Sequence, residues 1–281
     1  MALRGPKGTL RMRRATVIYT LLVFGAAIVA FPFVYMIATA LKTQTEATVP
    51  TLTLFPASPQ WGNFAETFHA APFARYFFNS FFVGFAVTGA VIATSLMAGY
   101  AFARLRFPGR GILFALVLAT MMIPFEVTLI PNFVMIRRLG WYSTYPALIV
   151  PWCANAFSIF LMRQAFLGLP SDYFDAAKVD GCGHLRFLLR IAAPLVKPMV
   201  VTVGLFAFLG SYNSLLWPLV VTSEESMRVV QVGLTVFSGA EGVRLHLLMC
   251  ASTIVIFPTV ALYFAAQRYF LESSLGAGIK G

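Results

Sequence analysis

Side chains that could carry catalysis or bind a metal are few in this sequence, and none of them forms a recognisable reactive group. The three cysteines, Cys153, Cys182 and Cys250, lie far apart without CxxC spacing, so neither a metal site nor a redox pair is predicted. The three histidines lie in or near connections, without the paired spacing of metal ligands. No nucleophile has a base beside it, and no Gly-Lys-Ser/Thr phosphate loop occurs. We therefore expect no enzyme activity, no metal and no cofactor in this chain.

One polar segment, Leu169–Gly181, interrupts the apolar stretches in the second half of the chain. Ser171 is placed to cap a short helix, and Asp172 lies in the first turn, where the helix dipole favours an anion. Gly181 suits the left-handed conformation that ends such a helix. The pattern predicts a short surface helix with defined ends.

A second short helix is expected from His184 to Ala192, with Pro194 stopping it. In the first helix, Ala176 and Ala177 lie beside Phe174, so that another protein's backbone can approach closely while the ring fills a pocket. Two interpretations remain open on these residues alone. The segment is either a docking surface for a second protein or a connector that lies on its own domain.

The composition indicates the solvent in which these elements lie. The chain is 59% hydrophobic and 11% charged with a mean hydropathy of +0.80, whereas soluble domains average about 25% charged residues. The net charge of +11 comes from short Lys and Arg clusters between apolar stretches, a pattern that argues against nucleic-acid binding. The sequence therefore predicts an all-α, polytopic protein surrounded by membrane lipid.

Six apolar runs are long enough to cross a bilayer as helices, which requires about 20 residues each. They lie near residues 15–41, 76–103, 111–136, 144–166, 198–222 and 245–267. The first is uncharged over its full length, which exceeds the roughly 7–15 residues of a signal-peptide core, so we interpret it as a retained span.

The positions of the basic residues predict the orientation of these spans. The N-terminus, the C-terminus and the connections 104–110 and 163–197 carry 15 of the 21 Lys and Arg residues. By the positive-inside rule, these segments and both termini are cytoplasmic, although Arg137 and Arg138 run against the rule.

Glu126 is the one carboxylate within the six apolar runs, and it lies between Pro124 and Pro131 in the third. The prolines predict a kink or local unwinding there. A carboxylate in lipid costs at least about 2.5 kcal/mol, so Glu126 needs a partner. We expect Arg137 or Arg138 to pair with it and close an external gate; direct contact of Glu126 with substrate is the alternative.

Polar residues within the spans indicate a possible substrate path. In the fifth span Gly210, Asn213, Ser214 and Trp217 fall on one helical face, offering an amide, a hydroxyl and an aromatic plane for a sugar. Asn155 begins a weaker stripe in the fourth span. Helix packing is the alternative for the fifth-span stripe and the favoured interpretation for the fourth-span stripe, because small and polar residues are common where membrane helices meet.

The polar segment resembles the EAA signature of binding-protein-dependent ATP-binding-cassette (ABC) importer permeases, in which Glu-Ala-Ala precedes Gly and then Ile-x-Leu-Pro at fixed spacing. The matching residues here are Asp175-Ala176-Ala177, Asp180-Gly181, Ile191 and Pro194. Asp175 stands where the family usually has Glu, and Ala193 stands where it has Leu.

Further blocks extend the resemblance over most of the chain and make it similar to the smaller permease of carbohydrate-uptake importers, the group of the maltose and glycerol-3-phosphate systems. They are Gly99-Tyr100-Ala101-Phe102-Ala103-Arg104 with Phe107-Pro108-Gly109-Arg110, Ile123-Pro124 with Ile130-Pro131, and Asn213 with Leu216-Trp217-Pro218-Leu219.

The resemblance implies that the polar segment is a coupling helix inserted into a nucleotide-binding subunit. The implied contact residues are Phe174, Asp175, Ala176, Ala177, Asp180 and Gly181. The implied partners are two ATPase subunits that bind ATP and Mg, a second permease in a heterodimer, and an extracellular solute-binding protein. The implied location is the bacterial cytoplasmic membrane.

The resemblance and the spans together give a domain plan with two short cytoplasmic ends, 1–14 and 268–281. Between them lies a transmembrane domain, 15–267, with an external loop 42–75 and a cytoplasmic coupling loop 168–197.

The substrate class remains open between a neutral sugar and sn-glycerol-3-phosphate or a polyol. Phosphate recognition favours Arg or Lys, and no span interior contains one, so we favour a sugar. A secondary transporter is the rival class. It would place ion-coupling carboxylates and broken helices at matching positions of two inverted halves, and Glu126 has no counterpart in the second half.

Overall fold

The computed structural model describes residues 6–49, 53–239 and 242–277, with side chains for 15–49, 53–239 and 242–267. The described residues form two compact units, which lie within Met1–Ala70 plus Val236–Ile256 and within Ala71–Thr235 plus Phe257–Gly281. The outer parts of the two predicted cytoplasmic ends, 1–5 and 278–281, lie outside the described residues.

The described residues are mainly helical, as the all-α prediction requires. The α-helices are α1 Pro6–Ala40, α2 Gln44–Thr48, α3 Gly62–Ala70, α4 Phe73–Arg104, α5 Arg110–Ala119, α6 Phe125–Arg138, α7 Tyr145–Ile149, α8 Ala156–Leu167, α9 Asp172–Val179, α10 His184–Phe187, α11 Ala193–Leu195, α12 Lys197–Tyr212, α13 Leu216–Val221, α14 Val230–Leu234 and α15 Leu245–Ala277. Single 3-10 turns cover Thr120–Met122, Val150–Trp152, Glu225–Met227 and Thr235–Phe237, and a π-helical turn covers Leu188–Ala192. Two short antiparallel strands, β1 Ser238–Gly239 and β2 Gly242–Val243, form a hairpin.

Three helical segments are long and apolar enough to cross a membrane, namely Ala15–Ala40, Phe73–Arg104 and Leu245–Gln267. Three further pairs of helices pass the same test together but are bent, so the described residues provide as many as six spans if each bent pair crosses once. The bends are 99° between Arg110–Met122 and Phe125–Arg138, 42° between Tyr145–Trp152 and Ala156–Leu167, and 87° between His184–Leu195 and Lys197–Tyr212.

The break expected in the third span occurs at Pro124, the residue that separates Met122–Ile123 from α6. Pro131 lies inside α6 without interrupting it. The fourth and fifth apolar runs, for which the sequence predicted no break, are interrupted as well. In the fourth, Asn155 has an extended backbone and starts α8 anew.

The fifth span, predicted as one helix over 198–222, is two helices in the structure. α12 ends at Tyr212, and α13 begins at Leu216. Pro218 explains the break, because it has no N–H to donate to the carbonyl of Ser214, and its ring would clash with that carbonyl in a continuous helix. α12 alone is about 24 Å long, shorter than the roughly 30 Å hydrocarbon core.

The core of the second unit is built around α4, against which α8 and α12 pack. Glycines allow these helices to approach closely. A Cβ on Gly99 would lie 2.7 Å from Cβ of Met162 and 2.9 Å from the backbone nitrogen of Arg163, and one on Gly84 would lie 2.9 Å from the ring of Phe208. Any larger residue at Gly99 therefore meets backbone atoms that cannot rotate away.

In the first unit, Glu46 anchors the connection that follows α1. Its carboxylate accepts hydrogen bonds from the backbone N–H of Ala57 (3.0 Å) and of Thr43 (3.2 Å). These two N–H groups, chiefly that of Ala57, lower the pKa of Glu46 below its ordinary value. The charged carboxylate therefore holds Ala57 close to α2.

This anchor is expected to be pH-dependent. Because the pKa of Glu46 is lower in the folded protein than in the unfolded chain, its contribution is complete above the ordinary carboxyl pKa of about 4.3 and is lost as pH falls through the folded value. Amide hydrogen exchange at Ala57, corrected for the intrinsic pH dependence, is expected to accelerate on acidification in the parent protein. The Glu46→Gln variant is expected to lack this extra acceleration, and equal profiles for the two proteins would contradict the anchor.

Candidate functional site

The polar segment folds as the sequence predicts at its C-terminal end. α9 ends at Val179 with Asp180 as its C-cap, and Gly181 has a φ of +68°. The Cys182 N–H donates to the carbonyl of Ala177 at 2.9 Å, and the Gly181 N–H donates to that of Lys178 at 3.0 Å. These two bonds form a Schellman motif, which satisfies the terminal carbonyls and fixes where the helix stops.

Two local expectations for this segment are wrong. Ser171 takes helical backbone angles and makes no side-chain cap hydrogen bond. Pro194 does not stop the second helix, since helical structure continues from His184 to Leu195 through the π-helical turn Leu188–Ala192, and the sharp bend follows at Val196. The wider π turn relieves the clash that a proline ring makes with the carbonyl four residues earlier, here that of Arg190.

The two faces of α9 differ from the prediction. Phe174 and Ala177 face the protein's own core: Ala177 is 5% exposed, and the Phe174 ring lies 4.4 Å from that of Phe187 and stacks on that of Tyr100. The implied contact of Phe174 and Ala177 with an ATPase subunit stays a prediction, while in this structure their side chains pack inward. Both residues hold α9 in place.

Six of the eight side chains of α9 are exposed, and four of these six share one face at helical spacing. These four are Asp172, Asp175, Ala176 and Val179, the last of which is 88% exposed. Asp180 and Gly181 are exposed next to it at the C-terminal end. We call Asp172, Asp175, Ala176 and Val179 the docking face. Its i, i+3, i+4, i+7 spacing is visible in the sequence, although Val179 and Asp172 were not singled out there as contact residues.

A cavity of about 320 Å³ lies between α4, α8 and α12 in the second unit. Its walls are mostly apolar, with the polar exceptions Asn155, Ser158, Ser211 and Ser214. Gly210 and Trp217 also line it, so four of the five residues predicted for the substrate path, Gly210, Ser214, Trp217 and Asn155, border one cavity. No Lys, Arg, His, Asp or Glu is among these described lining residues.

The fifth predicted path residue, Asn213, lies elsewhere. It follows the last residue of α12, is exposed, and accepts a hydrogen bond from Gln231 at 3.3 Å. It is not among the described residues that line the cavity. The expectation of one continuous helical face for Gly210, Asn213, Ser214 and Trp217 is wrong, because the helix is interrupted between Tyr212 and Leu216.

Trp217 and Asn155 have structural contacts as well. The Trp217 indole N–H donates to the carbonyl of Ala147 at 2.9 Å, and its side chain is 2% exposed. The Asn155 side-chain oxygen accepts from the Ser158 N–H at 2.9 Å and so caps α8. Trp217 therefore offers the cavity an apolar ring edge and no hydrogen-bond donor.

The predicted pairing of Glu126 with Arg137 or Arg138 is wrong. All three residues lie on the single helix α6, and a separation of eleven or twelve residues places them about 16 to 18 Å apart along its axis. This exceeds the combined reach of the two side chains. Glu126 lies in the first turn of α6, where the helix dipole favours a carboxylate, and Arg137 lies 4.5 Å from the Tyr142 ring.

Comparison with protein families gives a match to the binding-protein-dependent transport system inner membrane component, over residues 90–271. The match covers more than half of the chain and contains α9 and its docking face. The chain belongs to this family of transport permeases.

Relatives of this permease are similar to it in sequence over about nine-tenths of the chain. It is 33% identical over 263 residues to the sn-glycerol-3-phosphate transport system permease protein UgpE of Yersinia enterocolitica, covering 90% of this chain and 93% of that one. It is also 33% identical over 261 residues to the arabinooligosaccharides transport system permease protein AraQ of Halalkalibacterium halodurans, covering 92% and 94%. Among solved structures, a chain of a bacterial ABC transporter that imports the acidic polysaccharide alginate superposes with a TM-score of 0.81 at 21% identity, over 96% of this chain and 100% of that one.

A hydrogen-bond network lies at the N-terminal end of α4, and its residues were not predicted from the sequence. The fully buried Asn79 donates to the carbonyls of Ser226 (2.9 Å) and Arg228 (2.8 Å) and accepts from the Tyr145 hydroxyl at 2.8 Å. Arg75 also donates to the carbonyl of Ser226. The segment after α13 is therefore fixed to α4, through pairs about 150 residues apart that no local pattern reveals.

Proposed function

We propose that this permease is one of two membrane subunits of an ABC importer for a carbohydrate, and that ATP hydrolysis by partner subunits drives transport. The observation that carries the proposal is a short, exposed, well-terminated helix, α9, inside the region that matches the transport family. The importer passes a carbohydrate, delivered by an extracellular solute-binding protein, along a path shared with a second, different permease.

The proposed topology has six spans in the bacterial inner membrane with both termini in the cytoplasm. The bias of Lys and Arg supports this orientation. Two bent helix pairs, Arg110–Met122 with Phe125–Arg138 and Tyr145–Trp152 with Ala156–Leu167, supply the third and fourth crossings. We assign the fifth crossing to α12 followed by α13. With this orientation, residues 42–75 lie outside, and the connection 168–197, including α9, lies on the ATPase side.

Each of the two ATPase subunits binds ATP and Mg, and one of them receives the docking face of α9. Ala176 lets the partner's backbone approach, Val179 supplies apolar contact, and Asp172 and Asp175 supply negative charge at the helix N-terminus. Asp180 and Gly181 lie beside this contact. Phe174 and Ala177 act from beneath, by holding α9 on the membrane domain.

A neutral carbohydrate suits the cavity between α4, α8 and α12. The lining combines apolar and aromatic surface with hydroxyl and amide groups, a combination that accepts sugar rings. The relative AraQ is named for arabinooligosaccharides and UgpE for sn-glycerol-3-phosphate. A phosphate group would favour an Arg or Lys partner, and this chain's described cavity lining supplies neither, so we favour the sugar.

Filling the cavity tests this function. A Cβ on Gly210 meets no atom within 4 Å, so Gly210→Leu projects into the cavity without a clash. We expect uptake of the carbohydrate to fall by about tenfold or more, since small misplacements in a close-fitting site have effects of this size. Copurification with the ATPase subunits and the thermal midpoint of the complex are expected to stay unchanged.

The control is Gly89→Leu, another glycine with open space around it, which does not line the cavity. It is expected to transport normally. Absence of an ATPase subunit from the purified wild-type complex, or uptake driven by an ion gradient without ATP, would contradict the proposed function. Normal uptake by Gly210→Leu would exclude this cavity from the substrate path.

A further inference from the structure

Two arginines join the C-terminal ends of α4 and α8, and each donates to backbone at the C-terminal end of the other helix. Arg104, at the end of α4, donates from Nε and Nη2 to the carbonyl of Phe166 at 3.2 and 2.8 Å, and from Nη2 to that of Leu169. Arg163, on α8, donates from Nε to the carbonyl of Phe102 at 3.3 Å. Cations at helix C-termini bind backbone carbonyls there and oppose the helix dipole, so the two arginines hold the two helix ends together. We call this pair of arginines the staple.

The two guanidinium groups differ in the aromatic ring that each one covers. Cζ of Arg104 lies 4.0 Å from the centroid of the Phe174 ring, which belongs to α9. Cζ of Arg163 lies 4.3 Å from the centroid of the Phe114 ring, which belongs to α5. Arg104 is therefore in contact with three helices at once, α4, α8 and α9. Arg163 has the same kind of contacts, but the ring that it covers belongs to α5 instead of α9.

α9 depends on such contacts for its orientation. Its eight residues are too few for a stable isolated helix, and Phe174 is the large side chain that it buries against the rest of the second unit. The Phe174 ring lies between Arg104, Phe187 and Tyr100, and the Tyr100 hydroxyl is 2.8 Å from Nδ1 of His184. Tyr100 and Arg104 both lie at the C-terminal end of α4, so movement of that end moves the surface on which α9 packs.

We propose that Arg104 is the positioning residue that links α9 to the spans: its guanidinium fixes the Phe174 ring to the C-terminal ends of α4 and α8, so that helix movement and α9 movement occur together. This inference rests on the proposed function, in which α9 docks on the ATPase. The planar fork of Arg serves two carbonyls and a ring simultaneously, which a lysine ammonium does not.

The test compares Arg104→Ala with Arg163→Ala in the complete importer reconstituted with its ATPase subunits and solute-binding protein. Each variant loses one arm of the staple, and Arg104→Ala also loses the contact with Phe174. We expect Arg104→Ala to keep basal ATP hydrolysis but to lose about tenfold in the stimulation by sugar-loaded binding protein, a typical size for coupling between sites. Arg163→Ala is expected to keep the wild-type ratio of stimulated to basal hydrolysis.

Two further variants separate positioning from folding. Arg104→Lys keeps the charge without the fork and is expected to restore assembly but only part of the stimulation. Phe174→Leu keeps an apolar side chain but removes the ring under Arg104, and it is expected to reduce stimulation in the same direction as Arg104→Ala. If Arg104→Ala fails to assemble, the ratio of stimulated to basal ATP hydrolysis is measured in Arg104→Lys and Phe174→Leu instead. A reduced ratio in both variants supports the proposal.

Equal stimulation ratios in the Arg104 and Arg163 variants would overturn the proposal and leave Arg104 a purely structural staple. The same holds if Phe174→Leu retains full stimulation. A wild-type complex that binds no ATPase, or whose hydrolysis does not respond to loaded binding protein, would instead contradict the proposed function, so the two failures are distinguishable.

Discussion

Ala176→Arg is expected to abolish uptake and release the ATPase subunits, while the permease still inserts and folds. Ala176 lies on the docking face with its small side chain exposed, so the added arginine meets no atom of the permease core. The long side chain would hold the two subunits apart at a close contact, and a loss of about 3 kcal/mol is over a hundredfold in binding. Pull-down of the ATPase subunit and uptake in cells measure the two losses.

The control for Ala176→Arg is Gly111→Arg, where a Cβ meets nothing within 4 Å. Gly111 is the first residue of the third apolar run, next to Arg110 at the proposed cytoplasmic end of that run and outside α9. We expect this control to bind ATPase subunits and to transport normally. Wild-type uptake by Ala176→Arg would show that α9 does not dock through this face. Ala177→Arg is a poorer test, because Ala177 is buried and its replacement would disturb the permease itself.

Gly99→Leu is expected to destabilise the permease itself. The added side chain would begin 2.7 Å from Cβ of Met162 and 2.9 Å from the Arg163 nitrogen, so α4 and α8 must move apart. Overpacking against backbone costs about 3 kcal/mol at the upper end of the usual range, and it would also strain the Arg104 and Arg163 contacts nearby. We expect a lower thermal midpoint in detergent and a smaller yield of monodisperse protein.

Gly89→Leu tests whether this loss of stability is specific to the contact between α4 and α8 at Gly99. Gly89 lies on the same helix α4, but a Cβ there meets no atom within 4 Å. Its thermal midpoint is expected to equal that of the parent protein. If Gly99→Leu and Gly89→Leu have the same midpoint, close approach of α4 and α8 is not required for stability.

The sequence by itself determined the features that depend on composition or on neighbouring residues. The hydrophobic composition and the length of the apolar runs predicted helices suited to a membrane, because solvent preference follows from composition alone. Gly181 ended α9 as predicted, since a left-handed residue at a helix end is a local conformational requirement. Pro124 broke the third span for an equally local reason, the clash and missing donor of a proline ring.

Side-chain direction was decided only by the tertiary structure. The spacing of α9 gives two opposite faces, but whether Phe174 points outward or inward depends on Tyr100, which lies far away in sequence, and on Phe187 of the next helix. Glu126 and Arg137 carry opposite charges and lie only eleven residues apart, yet the continuous helix α6 holds them too far apart to pair.

The breaks in the fourth and fifth spans were also decided by the tertiary structure. Pro218 was visible in the sequence, but the apolar run around it gave no sign that the chain would tolerate three non-helical residues there. Such a break requires that the freed backbone groups find partners or a cavity, and those are supplied by other helices. The staple formed by Arg104 and Arg163 has the same origin. Each arginine donates to backbone about 60 residues away, and this pairing depends on the close approach of α4 and α8 at Gly99.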